Sequence, residues 1–236
     1  MTHSRVPLRI KDFGEDGLRI AYREGTVDEQ AIQPWMEWLH QPRPRPHEPP
    51  RDGVILDIGA HIGGFTLLAA GIAPSGRVLA VEACRESYEL LVHNVGLNGL
   101  TNVEAAHMAL SDRPGEVRLH HNPAGNWGHT ITKPLQAGGE PVRAETLAGY
   151  LRGHAVDRCT LAKLNCEGAE FPILMGASIE TLRIIEQMLI LYHSDLVDER
   201  YSLAMLESHL EAAGFELQRA ASTPDRGRIF AHRRSS

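Results

Sequence analysis

The stretch VILDIGAHIGGFT, residues 54–66, decides the fold of this chain. An apolar run ends at Asp57, a glycine turn follows, and the sequence then continues as a helix. This pattern predicts a strand of a doubly wound parallel sheet, in which ligands bind at the carboxyl edge of the first strand. Gly59 and Gly63 allow the backbone to approach such a ligand closely. Asp57 can accept a hydrogen bond from a ligand ammonium group or from backbone N–H groups.

The chain after this stretch repeats the alternation of short apolar runs and helical stretches. Strands are predicted at residues 54–58, 77–82, 103–107, 117–120, 160–165 and 188–193, and helices at residues 65–71, 86–98, 169–176 and 203–213. Residues 215–219 and 229–232 are predicted to close the sheet as a hairpin. The polar, glycine-rich stretch 121–140 is predicted to be irregular, and such stretches inside a compact domain are usually functional or mobile. The fold class is therefore α/β with a doubly wound sheet.

The N-terminal part of the chain shows a different pattern. Residues 8–20 are predicted to form short strands around a turn, and residues 28–40 a helix with apolar residues at helical spacing. Residues 41–50, QPRPRPHEPP, hold five prolines, which exclude a helix or a central strand and indicate a linker. We therefore predict an N-terminal appendage over residues 1–40, either a lid of the ligand site or a dimer contact, and one large domain over residues 51–236.

The composition excludes several classes of protein. With 236 residues, 42 % of them hydrophobic and 23 % charged, the chain fits one large globular domain and is neither disordered nor collagen-like. Its net charge of −6 gives no field that would attract nucleic acid or an anionic membrane. The three cysteines are too widely spaced for a disulfide framework or a metal-binding pair. With no signal peptide or membrane-spanning run in the sequence, we expect a cytoplasmic protein.

A second acidic residue, Glu82, ends the next predicted strand, 25 residues after Asp57. A carboxylate at this position can accept hydrogen bonds from both hydroxyls of a ribose. The turn lacks the dinucleotide fingerprint GxGxxG, and Asp57 would repel a pyrophosphate. The glycine turn and the ribose-binding acid occur without a phosphate-binding motif. This combination predicts that the cofactor is S-adenosylmethionine (SAM), a nucleoside that carries an amino acid. The alternatives are a plain strand-to-helix turn and a solvated carboxylate at a strand end.

Several ordered blocks of the sequence resemble the FkbM family of SAM-dependent methyltransferases. DIGAHIGGF (57–65) matches the family's DxGAxxGxF turn, VEA (81–83) follows it, and LVHNVGLNGL (91–100) matches a helix that ends in an LN-type motif. The next block is matched by Ala109, Leu110, Ser111, Asp112 and Gly115. The segment KLNCEGAE (163–170) matches the most characteristic block, K-I-D-x-E-G-A-E. The resemblance covers most of the chain after the linker.

This resemblance implies a class I methyltransferase fold (Rossmann-like), with a seven-stranded sheet whose last strand is antiparallel. It implies that Asp57, Gly59 and Gly63 hold the methionine end of SAM. Glu82 would hold the ribose, and a turn at Ala109–Ser111 the adenine. Neighbouring residues of the same blocks complete the candidate cofactor site: Ala60, His61, Ala83 and Asn165.

Two residues depart from the family's pattern. His61 stands where an Asn is common, and Asn165 replaces the usual acid at the edge of the fourth strand. Because Mg²⁺ prefers carboxylate ligands, Asn165 argues against a metal, and we expect metal-independent chemistry. A weak cation site at the same edge remains the alternative, formed by Glu167, Glu170, His193 and Asp195.

His193 ends an apolar predicted strand at the edge where the ligand is expected. Its imidazole can take a proton from an acceptor hydroxyl near neutral pH, with Asp195 to orient it; the alternative is a histidine that only caps the strand. Glu167 and Asn165 lie at the same predicted edge and complete the candidate catalytic set. Cys166 is interpreted as packing, because methyl transfer from a sulfonium needs no covalent enzyme intermediate.

The polar stretch 121–132, HNPAGNWGHTIT, is predicted to form one wall of the acceptor site. In this candidate substrate-binding set, Trp127 offers an apolar platform, His129 is a donor or base, and Asn126 lies beside them. A surface loop without a ligand is the alternative. Trp35, on the N-terminal helix, is interpreted as a packing residue.

Together these patterns predict a SAM-dependent methyltransferase that acts on a small molecule and releases S-adenosylhomocysteine (SAH). The resemblance implies O-methylation, as in the tailoring of natural products or saccharides. The alternatives are N-methylation, a nicotinamide-dependent oxidoreductase on a similar sheet, and a noncatalytic SAM-fold binding module. We expect neither a nucleic-acid nor a membrane partner, and the sequence leaves a homodimer open.

Overall fold

The computed structural model describes residues 7–12, 17–39, 48–123, 125, 128–135, 139–221 and 223–233. The strands in this part of the chain are Leu8–Asp12 (β1), Arg19–Arg23 (β2), Val54–Ile58 (β3), Arg77–Glu82 (β4), Val103–His107 (β5), Ala109–Ser111 (β6), Gly115–Leu119 (β7), Glu140–Thr146 (β8), Leu161–Leu164 (β9), Gln187–His193 (β10), Phe215–Ala221 (β11) and Arg226–Arg233 (β12). The helices are Asp28–Leu39 (α1), Gly64–Ile72 (α2), Arg85–Leu97 (α3), Leu147–Gly153 (α4), Glu170–Met175 (α5), Ile179–Leu182 (α6) and Leu203–Ala212 (α7). Within the described residues, no helix combines the length and the apolar character that a bilayer crossing requires.

Seven strands form the main sheet, in the order β11-β12-β10-β9-β3-β4-β5. Strands β5, β4, β3, β9 and β10 run parallel, whereas β12 is antiparallel to both of its neighbours. The predicted seven-stranded sheet with an antiparallel last strand is therefore confirmed. The strand order reverses between β3 and β9, because β4 and β5 extend the sheet on one side and β10 on the other. The carboxyl ends of β3 and β9 mark the point at which such a sheet binds ligands.

The central strands are almost wholly apolar because helices cover both faces of the sheet. Successive residues of β3 point to opposite faces: Leu56 packs in a cluster with Phe171 of α5 and Leu210 of α7. Its neighbour Ile55 packs in a second cluster, which contains Leu67 of α2. All five of these side chains are fully buried. This two-sided burial fixes the position of the strand ends, where the polar residues of the site lie.

A second, three-stranded sheet differs from the prediction. It has the order β6-β8-β7, so the strand predicted at residues 117–120 belongs here rather than to the main sheet. Residues Ala109–Ser111, for which the resemblance implied a turn, form the short strand β6 parallel to β8. Strand β8 was not predicted, because only Val142 and Ala144 carry its alternation of buried and exposed residues. Its partner strands lie far away in the sequence, and local pattern does not reveal such pairing.

The N-terminal segment packs directly on the main domain. The β1–β2 hairpin lies against α3, where the Asn94 side chain accepts a hydrogen bond from the backbone N of Ala21 (2.7 Å) and donates one to its carbonyl (3.0 Å). Helix α1 packs against α2, and Ile32 is buried in the same cluster as the α2 side chains. Of the predicted linker at residues 41–50, residues 41–47 lie outside the described residues.

Candidate active site

A cavity of about 380 Å³ opens at the carboxyl ends of β3, β4, β9 and β10. Its position is the switch point of the strand order, where a doubly wound sheet binds ligands. Most of the predicted site residues line it, from the cofactor, catalytic and substrate-binding sets: Gly59, Ala60, His61, Glu82, Ala83, Ala109, His129, Asn165, Glu167 and His193. The structure therefore brings together residues that are separated by more than a hundred positions in the sequence.

The turn after β3 needs glycine for two reasons. Gly59 has a φ of +76°, and a Cβ at this position would lie 2.0 Å from the carbonyl oxygen of Asn165. The turn after β3 therefore touches the end of β9, and a side chain at residue 59 would force the two apart. Gly63 has a φ of +97°, and its missing Cβ leaves room for the Leu91 side chain of α3. Gly63 lies outside the lining of the cavity and serves the packing of the turn, and its contact with the cofactor stays a prediction.

Glu82 lies at the end of β4 and faces the cavity. Its Oε2 accepts a hydrogen bond from the backbone N of His61 and its Oε1 one from the backbone N of Cys84, both at 2.7 Å. Burial raises the pKa of Glu82, while the N–H groups of Cys84 and His61 act in the opposite direction. Each carboxylate oxygen has a second lone pair, so Glu82 can still accept hydrogen bonds from two hydroxyl groups of a ligand.

Asp57 is fully buried and is already bonded on both carboxylate oxygens. Its Oδ1 accepts a hydrogen bond from Nζ of Lys163 (2.9 Å) and its Oδ2 one from Oγ1 of Thr66 (2.5 Å). Lys163 also donates to the carbonyl of Gly59 (2.7 Å). Asp57 lies outside the cavity lining, and Lys163 joins its carboxylate to the glycine turn. The contact of Asp57 with a ligand ammonium group stays a prediction. The sequence motif alone does not reveal the contact between Lys163 and Asp57.

Ser111 also lies outside the lining of the cavity. Its hydroxyl donates to Oδ1 of Asp112 (3.1 Å), and its side chain is buried in strand β6. Ala109, two residues earlier in the same strand, does line the cavity. Ala109 is therefore placed for the predicted adenine contact, and the contact of Ser111 with adenine stays a prediction.

His193 ends β10 and is held between two glutamates. Its Nδ1 lies 3.3 Å from Oε1 of Glu170, and its Nε2 lies 3.6 Å from Oε2 of Glu167. Burial alone would lower the pKa of His193, but the hydrogen bond and charge of Glu170 and the charge of Glu167 outweigh it and raise the pKa. Asp195, expected to orient this histidine, instead binds the Arg226 guanidinium at 2.7 and 3.0 Å. Glu170 takes the orienting position.

Glu170 and Glu167 come from one tight turn after β9. The fully buried carboxylate of Glu170 accepts hydrogen bonds from the backbone N of Cys166 (2.5 Å) and of Gly168 (2.8 Å), which fixes it at the start of α5. Glu167 has a φ of +51°, a conformation that a non-glycine residue rarely adopts and that clusters at functional sites. Burial raises the pKa of Glu167 as well, against the opposing charge of His193.

The loop predicted to carry acceptor contacts reaches the same turn. The Thr130 hydroxyl donates to the carbonyl of Glu167 (2.6 Å), and His129 lines the cavity. The Nδ1 of His129 accepts a hydrogen bond from the backbone N of Asn122 (2.9 Å). Burial lowers the pKa of His129 to about 4, with the nearby His121 adding to the effect, so its ring is neutral at pH 7. The other two predicted residues of this loop, Asn126 and Trp127, lie outside the described residues.

The N-terminal helix supplies a wall of the cavity through Trp35, which the sequence indicated only as a packing residue. Trp35 lines the cavity and packs against the Phe65 ring, with 5.1 Å between ring centroids. The ring of Trp35 also lies 5.9 Å from Nζ of Lys163, within reach of a cation–π contact. A Cβ at Gly64 would lie 2.9 Å from Cδ1 of Trp35, so α1 and α2 are in direct contact. Trp35 therefore both packs and faces the cavity.

His61 connects this N-terminal segment to the turn. Its φ is +53°, and its Nε2 lies 3.3 Å from Oδ1 of the buried Asp28. Asp28 in turn receives two hydrogen bonds from the Arg23 guanidinium, at 2.8 and 2.9 Å. His61, one of the two residues that depart from the family's pattern, therefore contacts the N-terminal segment.

The sheet order and the cavity at its switch point are those of the class I methyltransferase fold. Two solved structures share the fold at a TM-score of 0.51, with sequence identities at which the likeness shows the fold alone. The methyltransferase FkbM of Methylobacillus flagellatus KT is 15 % identical, and the match covers 77 % of this chain and 44 % of that one. The precorrin-6y C5,15-methyltransferase of Geobacter metallireducens GS-15 is 14 % identical, over 96 % of this chain and 100 % of that one.

Sequence comparison gives the family. The profile of the methyltransferase FkbM domain matches residues 57–217, and the chain belongs to this family, as its motifs indicated. "Methyltransferase 1" of Beauveria bassiana is 28 % identical over 197 residues, which cover 75 % of this chain and 76 % of that protein. "Methyltransferase sdnD" of Sordaria araneosa is 25 % identical over 218 residues, which cover 78 % and 83 % respectively. The protein is therefore an FkbM methyltransferase.

Proposed function

We propose that this protein transfers a methyl group from SAM to a hydroxyl group of a small-molecule acceptor and releases SAH. One observation carries the proposal: a single cavity brings the Gly59 turn and Glu82 together with the His193–Glu167 pair. Its volume of about 380 Å³ lies within the range of small-molecule sites. Both halves of a methyl-transfer site therefore open into the same space.

The residues on the β3 and β4 side fit SAM by their chemistry. Glu82 offers a carboxylate to the two ribose hydroxyls, and the backbone of the Gly59 turn is open to the ligand. Ala83 and Ala109 add small apolar surface beside Glu82, suited to the flat face of an adenine. SAM supplies a methyl group on a sulfonium that carries its own leaving group. The chain must therefore bind the cofactor, align the acceptor oxygen and exclude water.

The residues on the β9 and β10 side fit an acceptor hydroxyl. In the neutral His193 ring, the hydrogen bond of Nδ1–H to Glu170 leaves Nε2 as the proton acceptor. Nε2 lies on the side of Glu167, which also lines the cavity. We propose that His193 accepts the proton of the hydroxyl at Nε2 and that Glu167 stabilises the imidazolium that forms. Asn165 lies beside them in the lining and is the third polar residue of this side.

The walls around this centre favour a small, partly apolar acceptor. Trp35 and Ile32 of α1 form an apolar wall, and the neutral His129 ring forms part of the opposite loop. We propose that α1 is the lid of the acceptor site, the first of the two roles predicted for the N-terminal segment. An apolar wall with a few convergent polar groups is typical of sites for drug-sized molecules such as natural products.

The test is a turnover assay on the full chain with SAM and a panel of hydroxylated and amine-bearing small molecules, read as SAH formation. We expect SAH from hydroxylated acceptors and a loss of that signal in His193→Ala. The matched control is His154→Ala, because His154 also pairs with a glutamate (Glu104, 3.3 Å) but lies away from the cavity. Turnover of amines alone would replace O-methylation by N-methylation, and turnover with NAD alone would favour the oxidoreductase alternative.

A further inference from the structure

Three potential metal-ligating side chains at the edge of the cavity, beside the proposed reaction centre, converge at one point. Cys84, His121 and His129 each offer one potential ligand atom, and these three atoms lie within 4.8 Å of one another. Cys84 is buried and both histidines are half-buried. We propose that these three residues bind a soft divalent cation of the Zn²⁺ class, which fastens the loop after β7 to the start of α3. The inference does not depend on the methyl-transfer proposal.

The donor set selects the metal. A thiolate and two imidazoles are ligands that Zn²⁺ prefers, whereas Mg²⁺ and Ca²⁺ require oxygen ligands. Three protein ligands leave the fourth tetrahedral position for water or another small ligand. Zinc–nitrogen and zinc–sulfur bonds are about 2.0 to 2.3 Å long. The three ligand atoms must therefore approach one another by roughly an ångström, which side-chain rotation can provide. The sequence missed this set because its members are neither paired nor regularly spaced.

The surroundings support two of the ligands. The Nε2 of His121 lies 3.1 Å from Oε2 of Glu140, the carboxylate contact that typically orients a metal-binding histidine and leaves Nδ1 for the metal. Cys84 is the N-cap residue of α3, so the start of this helix fixes the position of its Sγ. These contacts exist without any metal and hold the ligands in suitable orientations.

The third ligand requires one local change. The Nδ1 of His129 accepts a hydrogen bond from the backbone N of Asn122 (2.9 Å), and a neutral ring with this bond carries its proton on Nε2. Ligation by either nitrogen of a neutral His129 therefore replaces the bond to Asn122. The rings of His121 and His129 already meet edge to face, with 4.7 Å between centroids, so ligation needs no large movement of the loop.

The position of the site suggests what the cation does. His129 and Ala83, the neighbour of Cys84, both line the cavity. A cation held by Cys84, His121 and His129 would tie the end of β4 to the loop that forms part of the cavity wall. It would therefore stabilise this loop, and no step of the methyl transfer passes through it.

The experiment is a zinc titration of the chelator-stripped full chain under reducing conditions, against a chromogenic zinc indicator. We expect one tightly bound Zn²⁺ per chain and an affinity lowered at least about tenfold in Cys84→Ser and in His121→Ala, with a similar loss in Glu140→Gln. The matched controls are Cys166→Ser and His154→Ala, which keep the affinity within about twofold. Circular dichroism confirms that each variant is folded.

A second readout on the unmutated protein does not depend on the folding of variants. Co²⁺ in place of Zn²⁺ should give thiolate-to-cobalt charge-transfer absorption, which Cys84→Ser abolishes and Cys166→Ser retains. Absence of this absorption from the unmutated protein overturns the proposal, as does zinc affinity that is equal in the unmutated chain and in Cys84→Ser. Loss of binding in Cys166→Ser as large as in Cys84→Ser would likewise overturn it.

Discussion

The two sides of the cavity are built in different ways. The cofactor side consists of residues from two short motifs at the ends of neighbouring strands, Gly59 to His61 and Glu82 with Ala83. The acceptor side combines Trp35, His129, Glu167 and His193, which come from four distant parts of the chain. The first side depends on local turns, and the second on long-range packing. Changes on one side should therefore leave the function of the other largely intact.

The largest expected effect lies on the acceptor side. His193→Ala removes the proposed base, which typically contributes about 10² to 10⁴ in rate, so kcat should fall within that range. The affinity for SAH should stay within about twofold, because the groups that hold His193, Glu167 and Glu170, lie in the turn after β9 and not in the cofactor motifs. Steady-state kinetics and calorimetry on the same preparation measure both quantities. A change in kcat below about threefold would remove His193 from the mechanism.

The pH profile sharpens this test. The pKa of His193 is raised, because the glutamate contacts outweigh the effect of burial, and a base must be neutral to accept a proton. The histidine stays protonated and inactive below its pKa, so kcat should rise with pH through a midpoint above the usual value of about 6.5. His193→Ala should lose this rise, whereas His154→Ala should keep it. A flat profile in the unmutated enzyme would contradict a titrating base.

The next effect concerns the buried ion pair of Asp57 and Lys163, which supports the glycine turn on the cofactor side. Lys163→Met leaves the buried Asp57 carboxylate without its cation, which typically destabilises a protein by about 3 to 5 kcal/mol. Adding Asp57→Asn should recover much of this loss. The exposed pair of Arg158 and Glu186 is the matched control, and Arg158→Met should cost less than about 1 kcal/mol. Urea unfolding gives the free energy of unfolding of the unmutated chain, the two single variants and the double variant. Equal losses of stability in Lys163→Met and Arg158→Met would show that the buried pair has no special role.

A smaller effect is expected at the apolar wall. Trp35→Ala should raise the KM for the acceptor about five- to tenfold, since aromatic contacts contribute on the order of 1 kcal/mol beyond the buried area. Trp35→Phe should retain most of the affinity, and the affinity for SAH should change little in either variant. An unchanged acceptor KM in Trp35→Ala would exclude α1 from the acceptor wall.

The smallest expected effect is that of added Mg²⁺. Asn165 offers an amide where a hard cation prefers a carboxylate, so we propose that methyl transfer needs no such ion. Adding Mg²⁺ to the chelator-treated enzyme should leave kcat unchanged within about twofold. A rate that returns only with Mg²⁺ or Mn²⁺ would point to a site at Glu167 and His193. The zinc site proposed above is tested separately, because it uses other residues.

The sequence predicted the cofactor side better than the acceptor side. The two strand ends and Glu82 follow from local pattern, since a buried apolar run and a glycine turn suffice to predict them. The local pattern could not show that Asp57 binds Lys163, because Lys163 is 106 residues away. It also named Asp195 as the partner of His193, whereas the fold places Glu170 there. Short sequence distance favoured Asp195, but Arg226 from the antiparallel strand binds it instead.

The N-terminal segment shows the same limit. Helical spacing predicted α1 correctly but could not show which surface it covers, so Trp35 was interpreted only as packing. Its contacts with Phe65 and Lys163 depend on how α1 lies against α2, and tertiary packing decides that. The buried contact of Asp28 with His61 could have been suspected from one signal, the departure of His61 from the family's usual Asn.

The most direct test of the account is calorimetric titration of SAH into the unmutated protein and into Glu82→Ala. Loss of a charge-assisted hydrogen bond typically costs about 1.5 to 3 kcal/mol, so the affinity should fall about tenfold to a hundredfold. Glu104→Ala, which changes an exposed glutamate of the adjacent strand β5, should bind SAH like the unmutated chain. Equal SAH affinity in Glu82→Ala and the unmutated protein would contradict the assignment of this cavity as the SAM site.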